Sequence, residues 1–335
     1  MKLLSISHEE TVKSIIANIL VEPLKIEMLT FDLVTVGHFS IDSIKTRKDS
    51  PPKHTLGGPP TFVSLAARKM NVEVSVISNV GDDFPNEYYE WLINEGIDLS
   101  MLRRIRNAST TRYMLIYSGK DERQLILKAR APPIELEEIP ESLSAKVIHI
   151  SPIAGEVSYE VTKKLKQHSN LLSLDPQGLL RRFDEEGRVY LRGLDDPRIL
   201  SKIDVLKASE REVEVATGEP QLNRAIRHTH ERGVNVVIVT RGRQSIILSL
   251  NGKIYRIPTV KSKVIVDTTG AGDVFIGAFL AEYIKGEDPV WSSCVGSASA
   301  SYVIEKIGPM GFRSQSEVYE RAAQIYEKVS PATSI

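Results

Sequence analysis

The run VNVVIVTRG, at residues 234–242, is the most apolar strand-like stretch of the chain. Its centre, VVIVT, places apolar side chains at successive positions, so both faces of the resulting strand must be buried. Strands of this kind occur in the middle of mostly parallel sheets that helices cover on both sides. The run therefore predicts an α/β fold.

From Phe31 onward, strand-like runs alternate with segments of helical spacing. The predicted strands are 31–37, 72–81, 146–150, 170–175, 203–209 and 234–242, and the predicted helices are 61–70, 85–96, 155–168, the segment from 211, 270–285, 288–305 and 314–329. This alternation predicts one doubly wound α/β domain, with a mostly parallel sheet flanked by helices, over residues 31–335. Such sheets bind ligands beyond the carboxyl ends of their strands.

Two parts of the chain depart from this rhythm. TRYMLIYSGKDERQLILK, at 111–128, has two alternating strands around a polar tip and predicts a hairpin. Together with the segment near 40–57, the region 104–130 is expected to form a small β-sheet that acts as a lid. Residues 1–30 are expected to be a separate N-terminal extension, in which 11–20 have the spacing of a short amphipathic helix.

Composition excludes several classes of protein. Among the 335 residues, Lys+Arg and Asp+Glu balance at 43 each, so no basic surface for nucleic acid is expected. Cys294 is the one cysteine, which excludes an intrachain disulfide. No apolar run reaches the roughly 18 residues that span a bilayer, and acidic residues interrupt the N-terminus where a signal peptide is apolar. We therefore expect a cytoplasmic protein without a membrane or nucleic-acid partner.

The stretch DTTGAGDVF, at 267–275, combines glycines with acidic residues at the start of a predicted helix. Its glycines would expose the amides of Gly270, Ala271 and Gly272, which have no intrahelical partners and lie at the positive end of the helix dipole. Such a turn holds a phosphate without a lysine. Asp273 in the same turn would accept the proton of an attacking hydroxyl during phosphoryl transfer. The simpler alternative is a plain turn followed by a dipole-favoured aspartate.

DTTGAGDVFIGAFL closely resembles the C-terminal signature of the ribokinase-like (PfkB) carbohydrate kinase family, usually D-T-x-G-A-G-D. Three further segments resemble family motifs in family order: VGHFSID at 36–42, GGPPTFVSLAARKMNVEVSVISNVGDD at 57–83 and VTRGRQS at 239–245. The resemblance covers residues from about 31 to 310. It implies an α/β kinase that uses ATP and Mg²⁺ and has a small β-sheet lid, through which family members often form homodimers.

The resemblance also implies roles for individual residues. Asp273 would be the general base, and Gly270, Ala271 and Gly272 would form the anion hole. Asp42, Gly57 and Gly58 would contact the acceptor. The nucleotide would be bound by residues spread over the C-terminal half of the chain, namely Ser209, Thr240, Gly242, Thr268 and Ser301 in the region 299–309 that closes over the adenine.

Three positions depart from the family pattern. LKASERE, at 206–212, stands where the family has N-x-x-E, which organises Mg²⁺ through water, so Ser209 replaces the asparagine while Glu212 keeps the acidic position. Pro59 replaces the lysine that follows the double glycine in ribokinases, and Ser245 replaces the last glycine of the nucleotide strand. The replacement by Ser209 weakens the expectation that Mg²⁺ is bound in the family's usual geometry. Pro59 and Ser245 weaken the expectation of a ribokinase-type specificity for pentoses.

The segments 154–165, 174–184 and KASE resemble the myo-inositol kinase branch of the family. They add Asp175, Gln177 and Arg181 to the expected site. Carboxylates and amides suit a neutral ring of hydroxyl groups, and Arg130 would either cap the site or lie on the surface.

The preferred hypothesis is an ATP- and Mg²⁺-dependent kinase acting on a hydroxyl of a sugar or cyclitol, with myo-inositol first. A nucleoside kinase would need an apolar or aromatic wall, for which Phe62 is available, and a 2-keto-3-deoxy-sugar acid kinase would need a cation facing the pocket. A non-catalytic sugar-binding protein is a third alternative, although binding alone does not require Asp273.

Overall fold

The computed structural model describes residues 28–45, 51–117, 123–260 and 265–332. Their strands are β1 (Leu29–Val36), β2 (Ser40–Lys45), β3 (Lys53–Gly57), β4 (Val74–Gly81), β5 (Leu102–Ile105), β6 (Thr111–Tyr117), β7 (Arg123–Ala129), β8 (Leu143–Ile150), β9 (Ser169–Leu174), β10 (Arg181–Phe183), β11 (Val189–Leu191), β12 (Val205–Ser209), β13 (Val236–Thr240), β14 (Ile246–Leu250), β15 (Lys253–Ile257) and β16 (Ser330–Ala332). Their α-helices are α1 (Pro59–Lys69), α2 (Asn86–Asn94), α3 (Tyr159–Gln167), α4 (Gln177–Leu180), α5 (Glu210–Thr217), α6 (Leu222–Glu231), α7 (Ala271–Ile284), α8 (Pro289–Val303) and α9 (Gln315–Tyr326).

Ten strands form the main sheet, in the order β16-β15-β14-β13-β12-β9-β8-β1-β4-β5. The seven strands from β13 to β5 pair in parallel, and β14 to β16 extend one edge in antiparallel pairing. All eight residues of β4 are buried, as expected for a parallel strand covered on both faces. The predicted α/β class and the mostly parallel sheet are confirmed.

Helices cover both faces of the main sheet. Leu33 of β1 packs in the core beneath α1, α7 and α8, whereas its neighbour Val34 packs in the core on the opposite face, where α3 and α6 lie. This alternation follows from the pleat of a strand, which points successive side chains to opposite faces. No helix in the described ranges is long and apolar enough to cross a membrane.

A separate four-stranded sheet has the order β3-β2-β6-β7. The predicted hairpin corresponds to β6 and β7, which pair antiparallel, while its tip at 118–122 lies outside the described residues. The predicted boundary at 104 is wrong, because Arg104 and Ile105 belong to β5 and extend the main sheet beside β4. We call β2, β3, β6 and β7 the small sheet.

Two other predicted boundaries are also wrong. The strand expected from residue 31 begins at Leu29, which pairs with Leu143 of β8, and the rest of the proposed N-terminal extension, 1–27, lies outside the described residues. The helix expected from residue 155 begins only at Tyr159, capped by Ser158. The preceding Glu156 instead turns its carboxylate back onto the amides of Ile153 and Ala154, at 2.7–3.0 Å, which holds residues 153–157 out of the helix.

Helix α7 packs against α1 and α8 through glycines. A Cβ at Gly277 would lie 2.5 Å from the Val63 carbonyl oxygen of α1, and one at Gly296 of α8 would lie 2.7 Å from the Phe275 carbonyl oxygen of α7. Both distances are too short for real atoms, so the two glycines let the three helices approach closely.

Gly277→Ala is therefore expected to destabilise the protein by about 1–3 kcal/mol, because α1 and α7 must move apart. Helix propensity alone would favour alanine by about 1 kcal/mol and would raise the free energy of unfolding, whereas the packing account predicts that this free energy decreases. Denaturant unfolding measures the difference. The control is Gly193→Ala, whose Cβ would lie at an ordinary 3.6 Å from the Val215 carbonyl oxygen. An unchanged or higher unfolding free energy for Gly277→Ala would contradict the packing account.

Candidate active site

A cavity lies between the carboxyl ends of the main-sheet strands and the small sheet. Its polar lining comprises Ser40, Asp42, Gln177, Arg181, Thr269 and Asp273. The remaining lining is largely apolar and is formed by Gly58, Pro59, Phe62, Tyr113, Leu115, Leu125, Ile153 and Gly270. The cavity therefore combines carboxylates and other polar groups with apolar side chains.

The N-terminal turn of α7 forms one end of the cavity. Gly270 precedes the helix with φ 76°, and a Cβ there would lie 2.5 Å from the Phe62 ring, so both conformation and space require glycine. The Ala271 amide donates to the Thr268 carbonyl at 3.3 Å and is partly used by the turn. The amides of Gly272 and Asp273 follow in the first turn, where helix geometry leaves such groups open to an anion.

Asp267 organises the loop that leads into this turn. Its Oδ1 accepts hydrogen bonds from the Tyr117 hydroxyl at 2.8 Å and the Thr269 amide at 2.9 Å. Its Oδ2 accepts from the Gly308 amide at 3.3 Å. Since Tyr117 ends β6, the small sheet is tied directly to the loop before α7. Tyr117 was not predicted as a site residue, because its partner Asp267 is 150 residues away and no local sequence pattern indicates so distant a contact.

Asp273 is half-buried and is oriented by polar neighbours. Gln177 Nε2 donates to its Oδ1 at 3.3 Å, and Arg181 Nη2 donates to Gln177 Oε1 at 2.5 Å. Burial raises the pKa of Asp273 to about 7, with the Lys207 charge acting in the opposite direction and the Asp175 carboxylate adding to the increase. A carboxylate that titrates near neutrality is suited to accepting and releasing a proton.

Lys207 is a site residue that the sequence analysis missed. It lies on β12, is 6% exposed, and its Nζ is 2.6 Å from Asp175 Oδ2. Burial lowers the pKa of this ammonium, but Asp175, Asp273 and Glu212 together raise it above the ordinary value. A lysine inside the otherwise apolar run VLKA was the available signal, because buried lysines are rare unless paired.

Asp42 and the double glycine meet at the start of α1. Asp42 lies on β2, is buried, and accepts the Ser40 hydroxyl at 2.7 Å. Gly57 makes room for this carboxylate, since a Cβ there would lie 2.1 Å from Asp42 Oδ2, but Gly57 is not among the cavity-lining residues. Gly58 lines the cavity and precedes α1 with φ 83°. Of these three residues expected to contact an acceptor, Asp42 and Gly58 line the cavity.

Besides Gly57, two further predicted acceptor ligands do not line the cavity. The Asp175 side chain is buried and pairs with Lys207 through Oδ2. Its Oδ1 accepts a hydrogen bond from the backbone N–H of Gln177 at 3.2 Å. Arg130 is exposed and donates to the Ala154 carbonyl at 3.0 Å. Internal partners engage the Asp175 side chain, and Arg130 extends along the surface, which was one of its two expected positions. Their contacts with an acceptor stay predictions.

Several predicted nucleotide residues share the carboxyl edge of the main sheet. Ser209 and Thr240 are register partners at the ends of β12 and β13. Gly242 lies in the exposed turn after β13 with φ 60°, and Thr268 is exposed beside α7. Ser301 is buried, donates to the Ala298 carbonyl at 2.6 Å and accepts from Arg321 at 2.7 Å, so its hydroxyl serves the contact between α8 and α9. Its contact with a nucleotide stays a prediction.

Glu212 is engaged in capping α5. Its Oε2 accepts the Ser209 amide at 2.8 Å and the Ser209 hydroxyl at 2.7 Å. Within the described part of the chain, no group of three or more His, Cys, Asp or Glu side chains could hold a metal ion. Mg²⁺ commonly keeps waters and binds through substrate phosphates with few protein ligands. The residues present fit only such a phosphate-bound ion.

Known proteins resemble this chain over most of its length. Residues 30–315 match the model of the pfkB family carbohydrate kinases. A cytidine kinase of Thermococcus kodakarensis is 30% identical over 285 residues, covering 83% of this chain and 97% of the relative. A nucleoside kinase of Methanocaldococcus jannaschii is 28% identical over 288 residues, covering 82% and 91%.

A solved structure supports the same fold. It is a pyrophosphate-dependent kinase in the ribokinase family, complexed with a pyrophosphate analog and myo-inositol. It superposes with a TM-score of 0.72 at 20% identity, covering 88% of this chain and all of the other. The extent of the family match and the cytidine kinase relative together show that the chain is a kinase that belongs to the pfkB carbohydrate kinase family.

Proposed function

We propose that the protein transfers the γ-phosphoryl group of ATP to a hydroxyl of a nucleoside, with Asp273 as general base. The observation that carries this proposal is the mixed lining of the cavity, which offers both carboxylates and apolar side chains. Asp42 and Asp273 offer carboxylates to the hydroxyls of a sugar, and Phe62, Leu115 and Leu125 offer an apolar wall to a base. The cytidine and nucleoside kinases among the relatives support the same substrate class.

The chemistry follows from the residues around the α7 turn. Asp273 accepts the hydroxyl proton as the new O–P bond forms and the bond to the leaving ADP oxygen breaks. The Gly272 and Asp273 amides stabilise the charge on the transferring group, and Gln177 keeps the carboxylate oriented. Bound Mg²⁺ would neutralise part of the phosphate charge, with Ser209 and Glu212 holding waters of its shell. The small sheet would exclude competing water.

Myo-inositol stays the second candidate acceptor. Gln177 and Arg181 line the cavity beside Asp273 and would suit a ring of hydroxyls. Asp175, one of the groups first expected to bind such a ring, does not line the cavity, which favours the nucleoside. A sugar-acid acceptor is a third candidate, because Arg181 supplies a cation in the cavity lining. A cytoplasmic location and a homodimer formed through the small sheet remain predictions.

Asp273→Asn is expected to lower kcat by about 10²–10⁴-fold, because the amide cannot accept the proton. ATP binding, measured by calorimetry, should stay within a few-fold of wild type. Asp288→Asn provides the control, since Asp288 caps α8 through the Trp291 amide and asparagine caps equally well. Wild-type turnover in Asp273→Asn would refute the assignment of the base.

An acceptor panel tests the substrate class. ADP release is measured with cytidine, other nucleosides, myo-inositol, ribose, fructose and 2-keto-3-deoxygluconate. We expect kcat/KM to be at least about tenfold higher for the best nucleoside than for myo-inositol, because only a nucleoside has a base that packs against the apolar side chains of the cavity. Preference for myo-inositol would overturn the nucleoside proposal, and sugar binding without ADP release would indicate a non-catalytic protein.

A further inference from the structure

Lys207 holds a positive charge in a nearly closed space beneath the cavity. It is the one charged residue of β12, and a Cβ at Gly272 would lie 2.4 Å from its Nζ. The glycine in the first turn of α7 therefore leaves room for the ammonium. Beside it lies His149, buried and neutral, because burial and the Lys207 charge lower its pKa to about 3.

A continuous set of contacts connects Lys207 with Asp273. The ammonium pairs with Asp175 Oδ2 at 2.6 Å, and Asp175 Oδ1 accepts a hydrogen bond from the backbone N–H of Gln177 at 3.2 Å. The Gln177 side chain then donates to Asp273 Oδ1 at 3.3 Å. Asp175 is thus placed to orient the residue that orients Asp273, and Lys207 fixes Asp175.

Charged groups of both signs surround Asp273. It is influenced by Asp175 after β9, Arg181 at β10, Lys207 on β12 and Glu212 on α5, and Asp42 lies across the cavity. Neighbouring carboxylates do not readily ionise together, since each disfavours the charge of the other. Without Lys207, Asp175 and Asp273 would be two such neighbours with Arg181 as the remaining nearby cation.

We propose that Lys207 is a positioning residue for Asp273: it neutralises Asp175, holds it against Gln177, and so keeps the Asp273 carboxylate ionised and aimed into the cavity. This inference rests on the proposed role of Asp273 as the base. Lys207 acts through its neighbours, so its loss should impair proton acceptance rather than recognition of the acceptor.

The pH dependence of kcat/KM for the acceptor, at saturating ATP and Mg²⁺, is the decisive measurement. In the wild type this value should fall as pH decreases through about 7, because protonated Asp273 cannot serve as a base. In Lys207→Met the acidic decline should move upward by at least about one pH unit, since an opposite charge within a few ångströms shifts a carboxyl by about that much. Activity should fall about tenfold at pH 7 and recover to within about threefold at pH 9.

Two further variants keep the test decisive if Lys207→Met folds poorly. Asp175→Asn removes the neighbouring negative charge and should move the acidic decline to lower pH. The double variant with Lys207→Met and Asp175→Asn removes both charges and should return the decline to within about half a pH unit of wild type, since the two effects oppose. Lys146→Met is the control, because it removes an exposed ion pair with Asp32, 2.7 Å apart at the other end of the sheet.

An unmoved acidic decline in Lys207→Met or Asp175→Asn would overturn the inference. So would activity that stays low at pH 9 in a Lys207→Met variant whose circular dichroism and thermal unfolding match those of the wild type. The Asp273→Asn variant separates the two proposals. If it keeps wild-type turnover, both fall together; if it is inactive while the Lys207→Met profile is unshifted, only the role of Lys207 falls.

Discussion

Asp273 shares the first turn of α7 with backbone amides that attract anions, and a carboxylate is an unfavourable neighbour for an anion. The surroundings of this turn offset that conflict. Gln177 holds one carboxylate oxygen, Lys207 supplies a buried positive charge nearby, and burial raises the pKa of Asp273 toward neutrality. A group poised in this way can accept a proton as a phosphoryl group arrives, which is the chemistry that we propose.

The fold supplies the rigidity that this arrangement needs. Helix α7 is packed closely against α1 and α8 at Gly277 and Gly296, and these contacts fix its position on the main sheet. The parallel strands deliver Asp175 and Lys207 to the same edge of the main sheet, as expected at the carboxyl ends of such strands. On the other side of the cavity, Tyr117 of the small sheet holds Asp267, which orders the loop before α7. The small sheet and the N-terminal turn of α7 are thereby physically joined.

The sequence was most informative where a local pattern decides the structure. Apolar runs such as VVIVT predicted the parallel strands, and the DTTGAGD glycines predicted the open helix start. It was least informative where a distant partner decides. Strands β14 to β16 pair antiparallel at the sheet edge and were not predicted, since short strands need their neighbours. The ion pair of Asp175 with Lys207 and the contact of Ser301 with Arg321 likewise depend on partners that are 32 and 20 residues away.

Direct transfer from nucleotide to acceptor is the central claim, and the stereochemistry at phosphorus tests it most directly. ATP carrying a γ-phosphorothioate made chiral with oxygen isotopes is used as the donor, and the configuration of the thiophosphorylated product is determined. In-line attack by a hydroxyl that Asp273 deprotonates predicts inversion of configuration. Retention would require two successive displacements through a phosphorylated protein residue and would contradict the proposed mechanism.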